Sequence, residues 1–82
     1  MGEYANVKSK QFVRTLKKLV RKYKVELADG GNHNYVITCI HNAKSYPIAS
    51  SHREMNKHIV KNFGEWLVKN EVCTKEQYDE LL

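Results

Sequence analysis

The chain has one proline, four glycines and two cysteines in 82 residues, and no long apolar run. With Cys39 and Cys73 in no metal-type spacing and no basic-apolar-cleavable leader pattern, a secreted disulfide scaffold is not expected. No stretch approaches the roughly 18 apolar residues of a spanning helix. The expected setting is the cytoplasm, with both thiols reduced. Residues that disfavour packing are scarce, 41% of the chain is hydrophobic and 28% is charged. This composition excludes a disordered chain, which lacks the apolar surface to offset its entropy. A chain of this length buries somewhat over about 60% of its unfolded surface, enough for one core of two layers. A single domain spanning residues 1–82 is therefore expected.

Acidic side chains are missing from one region in particular. Lys8, Lys10, Arg14, Lys17, Lys18, Arg21, Lys22 and Lys24 follow one another with no Asp or Glu between them. Residues 1–41 carry 8 basic and 3 acidic side chains, whereas residues 42–82 carry 6 of each, so the whole excess of +5 is N-terminal. A block of one sign repels itself, so a function such as binding a polyanion would compensate for it, and a solvated helix face accounts for it equally well.

Phe12, Val13, Leu16, Leu19, Val20 and Tyr23 recur at steps of one, three and four, the stripe of a helix with Ser9 as N-cap. The opposite face carries Arg14, Lys17, Lys18, Arg21 and Lys22. The period then changes to two. Val25 and Leu27 alternate with Lys24 and Glu26, and Tyr35, Ile37 and Cys39 alternate with Val36 and Thr38, as in two strands. Asp29-Gly30-Gly31-Asn32 between them carries turn residues that accept positive φ.

A turn over His41-Asn42-Ala43-Lys44 leads to a third strand, Ser45 to Ala49. Pro47 puts that strand on a sheet edge, because it has no N–H to donate. Ser51-His52-Arg53-Glu54 has capping-box spacing and predicts the start of a second helix, with Met55, Ile59, Phe63, Trp66 and Leu67 as its stripe and Asn70 as its stop. Thr74-Lys75-Glu76-Gln77 repeats the pattern ahead of Tyr78, Leu81 and Leu82. The fold class is thus α+β, in the order α-β-β-β-α with a short C-terminal helix. A three-stranded antiparallel sheet would be covered on one face by two helices. Double-stranded RNA-binding domains share this order, although topology alone does not fix function.

His33 follows the glycine turn. An imidazole with an ordinary pKa near 6.5 can both take and give a proton at neutral pH, which cleavage of RNA by its own 2′-hydroxyl needs. Judged by local pattern alone, His33 reads more readily as a polar turn residue without a chemical duty. No metal site is expected: His52 and His58 lie about 240° apart around a helix, and Cys39 with His41 makes half a zinc site. Tyr35 could stack on an unpaired base or pack as strand tyrosines commonly do.

The segment Gly30-Gly31-Asn32-His33-Asn34-Tyr35, set after a basic helix and a short strand and followed by a strand with Pro47, His52 and a helix, resembles the HicA-type toxin family. The likeness extends from about Lys8 through the Cys73-to-Leu82 tail. It implies an mRNA-cleaving ribonuclease of a toxin–antitoxin pair, with a double-stranded-RNA-binding-domain-like fold, no cofactor and a HicB-type antitoxin as partner. It also implies that His33 is the catalytic group. Asn32 stands where the family usually has Ser, and the strand before the turn is acidic at Glu26 and Asp29 where the family commonly has basic or amide residues. Lys17, Lys18, Arg21, Lys22 and Lys24, with Gly31, Asn32 and Tyr35, are the candidate RNA contacts. Other classes also fit the basic helix: a non-catalytic RNA-binding module, or an interaction domain that docks an acidic protein. A membrane surface ranks last, since the apolar face of the helix is needed to cover the sheet.

Overall fold

The computed structural model describes Tyr4, Asn6 and residues 7–31, 34–49 and 53–82. Its elements run α1 (Ser9–Lys22), β1 (Val25–Gly31), β2 (Asn34–Cys39), β3 (Ser45–Ala49), α2 (Lys57–Lys69) and α3 (Lys75–Leu81). The three strands form one antiparallel sheet in the order β1-β2-β3. β3, with the exposed Pro47, is an edge strand as the missing N–H requires.

Alternation along the strands sorts the two sheet faces. Val25, Ile37, Cys39 and Ile48 are buried, with Leu27, Tyr35 and Tyr46 packed beside them, while Glu26, Ala28, Ser45, Pro47 and Ala49 are exposed on the other side. On that open face the Thr38 and Ser45 hydroxyls are 2.9 Å apart across the β2–β3 pair. The helices supply the other half of the core through Phe12, Leu16, Leu19, Val60, Phe63, Leu67, Tyr78 and Leu81. Phe63 is the hub. Its ring lies 5.7 Å from Phe12, 5.6 Å from Tyr46, 5.9 Å from Tyr78 and 6.1 Å from Trp66, joining α1, β3, α2 and α3 in one aromatic cluster. Such pairs add about 0.5–1.5 kcal/mol each beyond their buried area.

Three sequence expectations are corrected. Ser9 is the first residue of α1 and not its cap; Lys8 occupies the cap position without a side-chain bond. The Ser9 N–H instead donates to the Arg53 carbonyl at 3.1 Å. The α1 stripe is also shifted. Val20 is 40% exposed, whereas Thr15 is 1% exposed, because the end of α3 covers that flank. The Thr15 hydroxyl lies 3.1 Å from each of two carbonyls, Gln11 and Leu81, and the Gln11 side-chain amide donates to the Leu82 carbonyl at 2.6 Å.

The third correction is the start of α2. Ser51 and His52 lie outside the described residues, but the helix begins at Lys57, and its cap is Asn56, whose side chain accepts from the His58 N–H at 2.8 Å. Residues 53–55 are engaged elsewhere. Met55 N–H donates to the Val7 carbonyl at 2.8 Å, Lys8 bridges to Glu54 in antiparallel fashion, and the Lys8 ammonium meets the Glu54 carboxylate at 2.7 Å. Backbone groups paired with a distant segment cannot also close helical turns. The expected box at Thr74 is present: Thr74 Oγ1 accepts from Gln77 N–H at 3.1 Å, and Gln77 Oε1 from Thr74 N–H at 2.9 Å. Asn70 caps the end of α2, and its buried side chain donates to the Trp66 carbonyl and accepts from Asn42.

Candidate nucleic-acid interface

The glycine turn is tighter than its sequence suggests. Asp29 pairs with Tyr35 and Gly31 with Asn34, with a register shift between Asp29 and Gly31, so most of the expected turn belongs to the ladder. Only positions 32 and 33 intervene. Gly31 has φ of +81°, and its N–H donates to Asp29 Oδ1 at 2.8 Å. That backbone region carries a steric penalty for a side chain, whereas a Cβ on Gly30 would meet Asn34 at an ordinary 3.5 Å. Gly31 is thus the glycine that the geometry requires. Asn32, His33 and His52 lie outside the described residues.

Tyr35 follows two positions after His33 on the helix-covered side of the sheet, half-buried against the core and paired with Ile48. Its ring serves packing. The cations of α1 face solvent: Lys17, Lys18, Arg21, Lys22 and, past the helix end, Lys24 are all exposed. Among the described residues none of them forms an ion pair, so no carboxylate neutralises this face.

The cations do not all lie near the turn. α1 ends two residues before β1 begins, which sets Arg21, Lys22 and Lys24 at the start of that strand. The glycine turn is at its other end, about 20 Å away at roughly 3.3 Å per residue. A single phosphate cannot touch both. What does share the turn's end is the beginning of both main helices. Asn34 pairs with Ala49, and Ala49 lines a cleft of about 280 Å³ together with Glu54, Met55, Asn56 and Ile59. The bridge between residues 7–9 and 53–55 brings the start of α1 to the same place.

Exposed Lys10, Arg53, Lys57 and His58 therefore belong to this end of the molecule. Neither helix has an acidic residue in its first turn, so the positive ends of both helix dipoles add to the side-chain charges. Lys8, by hydrogen bond and by charge, holds the Glu54 carboxyl below the usual glutamate range. Sequence reasoning missed Arg53 and Lys57. Charge counted over residues 42–82 balances, and only the chain path separates these two from the acids of α3.

Among the described residues no group of three or more His, Cys, Asp or Glu side chains could hold a metal ion. Cys39 and Cys73 are buried, and burial pushes both thiols up. His41 is exposed in the β2–β3 turn, on the surface, while Cys39 points into the core. No described helix is long and apolar enough to cross a membrane. Comparison with models of known families, with characterised proteins and with solved structures finds no match.

Proposed function

We propose that this chain is an endoribonuclease toxin of a toxin–antitoxin pair, of the HicA type, with a double-stranded-RNA-binding-domain-like fold and His33 as its acid–base group. The observation that carries the reading is the exposed cationic face of α1, where Lys17, Lys18, Arg21 and Lys22 form no ion pair among the described residues, with Lys10, Arg53 and Lys57 at the end of the sheet where Gly31 pairs with Asn34. A strand of RNA laid on that surface has its phosphates on Lys17, Lys18, Arg21 and Lys22 at one end. At the other end it meets Lys10, Arg53 and Lys57 beside the turn.

In this mechanism His33 takes the proton of a 2′-hydroxyl, the freed oxygen attacks the adjacent phosphorus, and the bond to the 5′-oxygen breaks. The imidazolium so formed returns its proton to that leaving oxygen, giving a 2′,3′-cyclic phosphate. Cations beside the phosphate stabilise the added negative charge. The cognate partner would be a HicB-type antitoxin acting in the cytoplasm, and the substrate mRNA. The second reading, a non-catalytic RNA-binding module, accounts for the same cationic surface.

One comparison separates them. Wild type and His33→Ala are assayed side by side for growth arrest, RNA fragments and RNA binding. Fragments and arrest with wild type only, at equal binding, support the nuclease. Binding without fragments from either protein supports the module, and no binding by either removes both readings.

A further inference from the structure

A second groove lies remote from the turn. It holds about 310 Å³ and is lined by Tyr4, Lys61, Gly64, Glu65, Val68, Lys69 and Lys75. Lys61, Gly64, Glu65, Val68 and Lys69 recur at helical spacing along one stripe of α2, and the buried Tyr78 ring of α3 packs against Gly64 behind it. Its floor is apolar. Val68 is 43% exposed, one of three large apolar side chains left so open among the described residues. Lysine stems extend that surface on both sides.

Among the described lining residues there are three ammonium groups to one carboxylate. Lys75 is paired with Asp79 at 3.2 Å, but Lys61 and Lys69 form no ion pair among the described residues, although Glu65 is four residues from each. We propose that this groove docks an acidic segment of a partner protein, which inserts one aliphatic side chain over Val68 and sets its carboxylates on Lys61 and Lys69.

A nucleic-acid strand fits the groove less well. Its backbone would carry phosphates past Glu65 at every register, whereas a peptide can turn an amide toward that carboxylate and keep its acids at the lysines. The one aromatic ring in the lining is already engaged. Tyr4 packs on Tyr78 at 5.8 Å between centroids, has the Lys75 ammonium 6.0 Å from its own ring centre, and donates its hydroxyl to Asp79 at 2.6 Å. The floor therefore offers an aliphatic contact and no free stacking face. Docking an amphipathic segment between helices is a common recognition mode. The inference is independent of the RNA reading.

The test uses the full chain and a synthetic helix-forming peptide with one central Leu among Glu residues, compared with the same peptide carrying Gln in place of Leu. Fluorescence anisotropy at two salt concentrations measures binding. The expected result is binding of the Leu peptide that weakens about tenfold or more in Val68→Asp, as removal of a central apolar anchor does. A double variant, Lys61→Glu with Lys69→Glu, is expected to weaken it similarly and to remove most of its salt dependence. Both variants should keep wild-type circular dichroism and RNA binding.

Several outcomes would overturn the proposal. These are no binding of the Leu peptide, equal binding of the Gln peptide, an affinity unmoved by Val68→Asp, or an affinity abolished by Lys17→Gln and Lys18→Gln instead. Loss of RNA binding in the groove variants would make the groove part of the nucleic-acid surface. Self-association abolished by Val68→Asp would make a second copy the occupant. Inactivity of wild type toward RNA leaves each of these readings distinct, because the peptide assay needs no nuclease.

Discussion

A Cβ on Gly64 of α2 would lie 2.6 Å from Cε2 and 2.8 Å from Cδ2 of Tyr78 on α3. The two helices thus meet so closely that only a residue without a side chain fits between them. The closeness lets the Tyr78 hydroxyl reach across and donate to the Val60 carbonyl at 2.8 Å.

Gly64→Ala is expected to destabilise the protein. Helix propensity favours Ala over Gly by about 1 kcal/mol, and forcing a methyl into a fully buried, immobile ring costs about 1–3 kcal/mol or more. Overpacking prevails here because the neighbour is a ring locked among Phe63, Tyr4 and α2, with no flexible end to swing aside. Urea denaturation measures the difference, and an unchanged or raised midpoint would mean that α3 moves away at little cost.

Tyr78→Phe removes the bond to Val60 and is expected to cost about 0.5–1.5 kcal/mol near neutral pH. It also changes the alkaline limb of stability. Burial, helped by Tyr4 and Asp79, pushes the Tyr78 phenol well above the usual tyrosine range. The folded form then keeps its proton while the unfolded chain loses it near pH 10. The stabilisation is complete below about pH 10 and is lost as pH rises beyond it. Urea midpoints between about pH 8 and 11 should fall more steeply for wild type than for Tyr78→Phe. Parallel curves would mean that this phenol is not the group responsible.

The two groups of cations are expected to behave differently. Replacing Lys17, Lys18, Arg21 and Lys22 with Gln should weaken RNA binding and lower the log–log salt slope by roughly 0.7–0.9 for each phosphate no longer neutralised. Replacing Arg53 and Lys57 should lower the slope less, with fewer charges removed, but should reduce the cleavage rate of bound RNA more, since these side chains share the turn's end. Single-turnover cleavage at saturating protein separates the effects. Equal rate reductions from both sets would erase the division between a holding end and a cutting end.

Cleavage by His33 is expected to survive EDTA, to stop when the cleaved nucleotide is 2′-deoxy, and to slow on the acid side of the histidine range as the base is protonated. Activity abolished by EDTA and restored by Mg²⁺ or Mn²⁺ would replace the imidazole with an ion as the agent that activates the nucleophile.

Both thiols should be slow toward a disulfide reagent at about pH 8, because the reactive form is the thiolate and burial disfavours it. Two thiols should appear at once in denaturant. Rapid reaction of the native protein would place Cys39 or Cys73 in a region that opens readily.

Sequence alone determined those parts of the molecule that depend on neighbours a few residues apart. The periodicity of Phe12, Leu16 and Leu19, the alternation through Tyr35, Ile37 and Cys39, the limits of β3, the stop at Asn70 and the reciprocal cap of Thr74 and Gln77 are all local, and local patterns describe them. Tertiary structure decided what depends on distant partners. The start of α2 moved to Lys57 because residues 53–55 bond to residues 7–9, a pairing such as Lys8 with Glu54 that spans 46 positions. Thr15 is buried because α3 covers its flank of α1, and no stripe of apolar residues announces a hydroxyl that pairs with Leu81. The same long-range pairing divides the cations, carrying Arg53 and Lys57 to the turn's end and leaving Lys22 and Lys24 at the far one. Charge order along a chain holds no information about which end of a strand each charge will occupy; that is set by how the backbone's hydrogen bonds are shared between segments far apart in sequence.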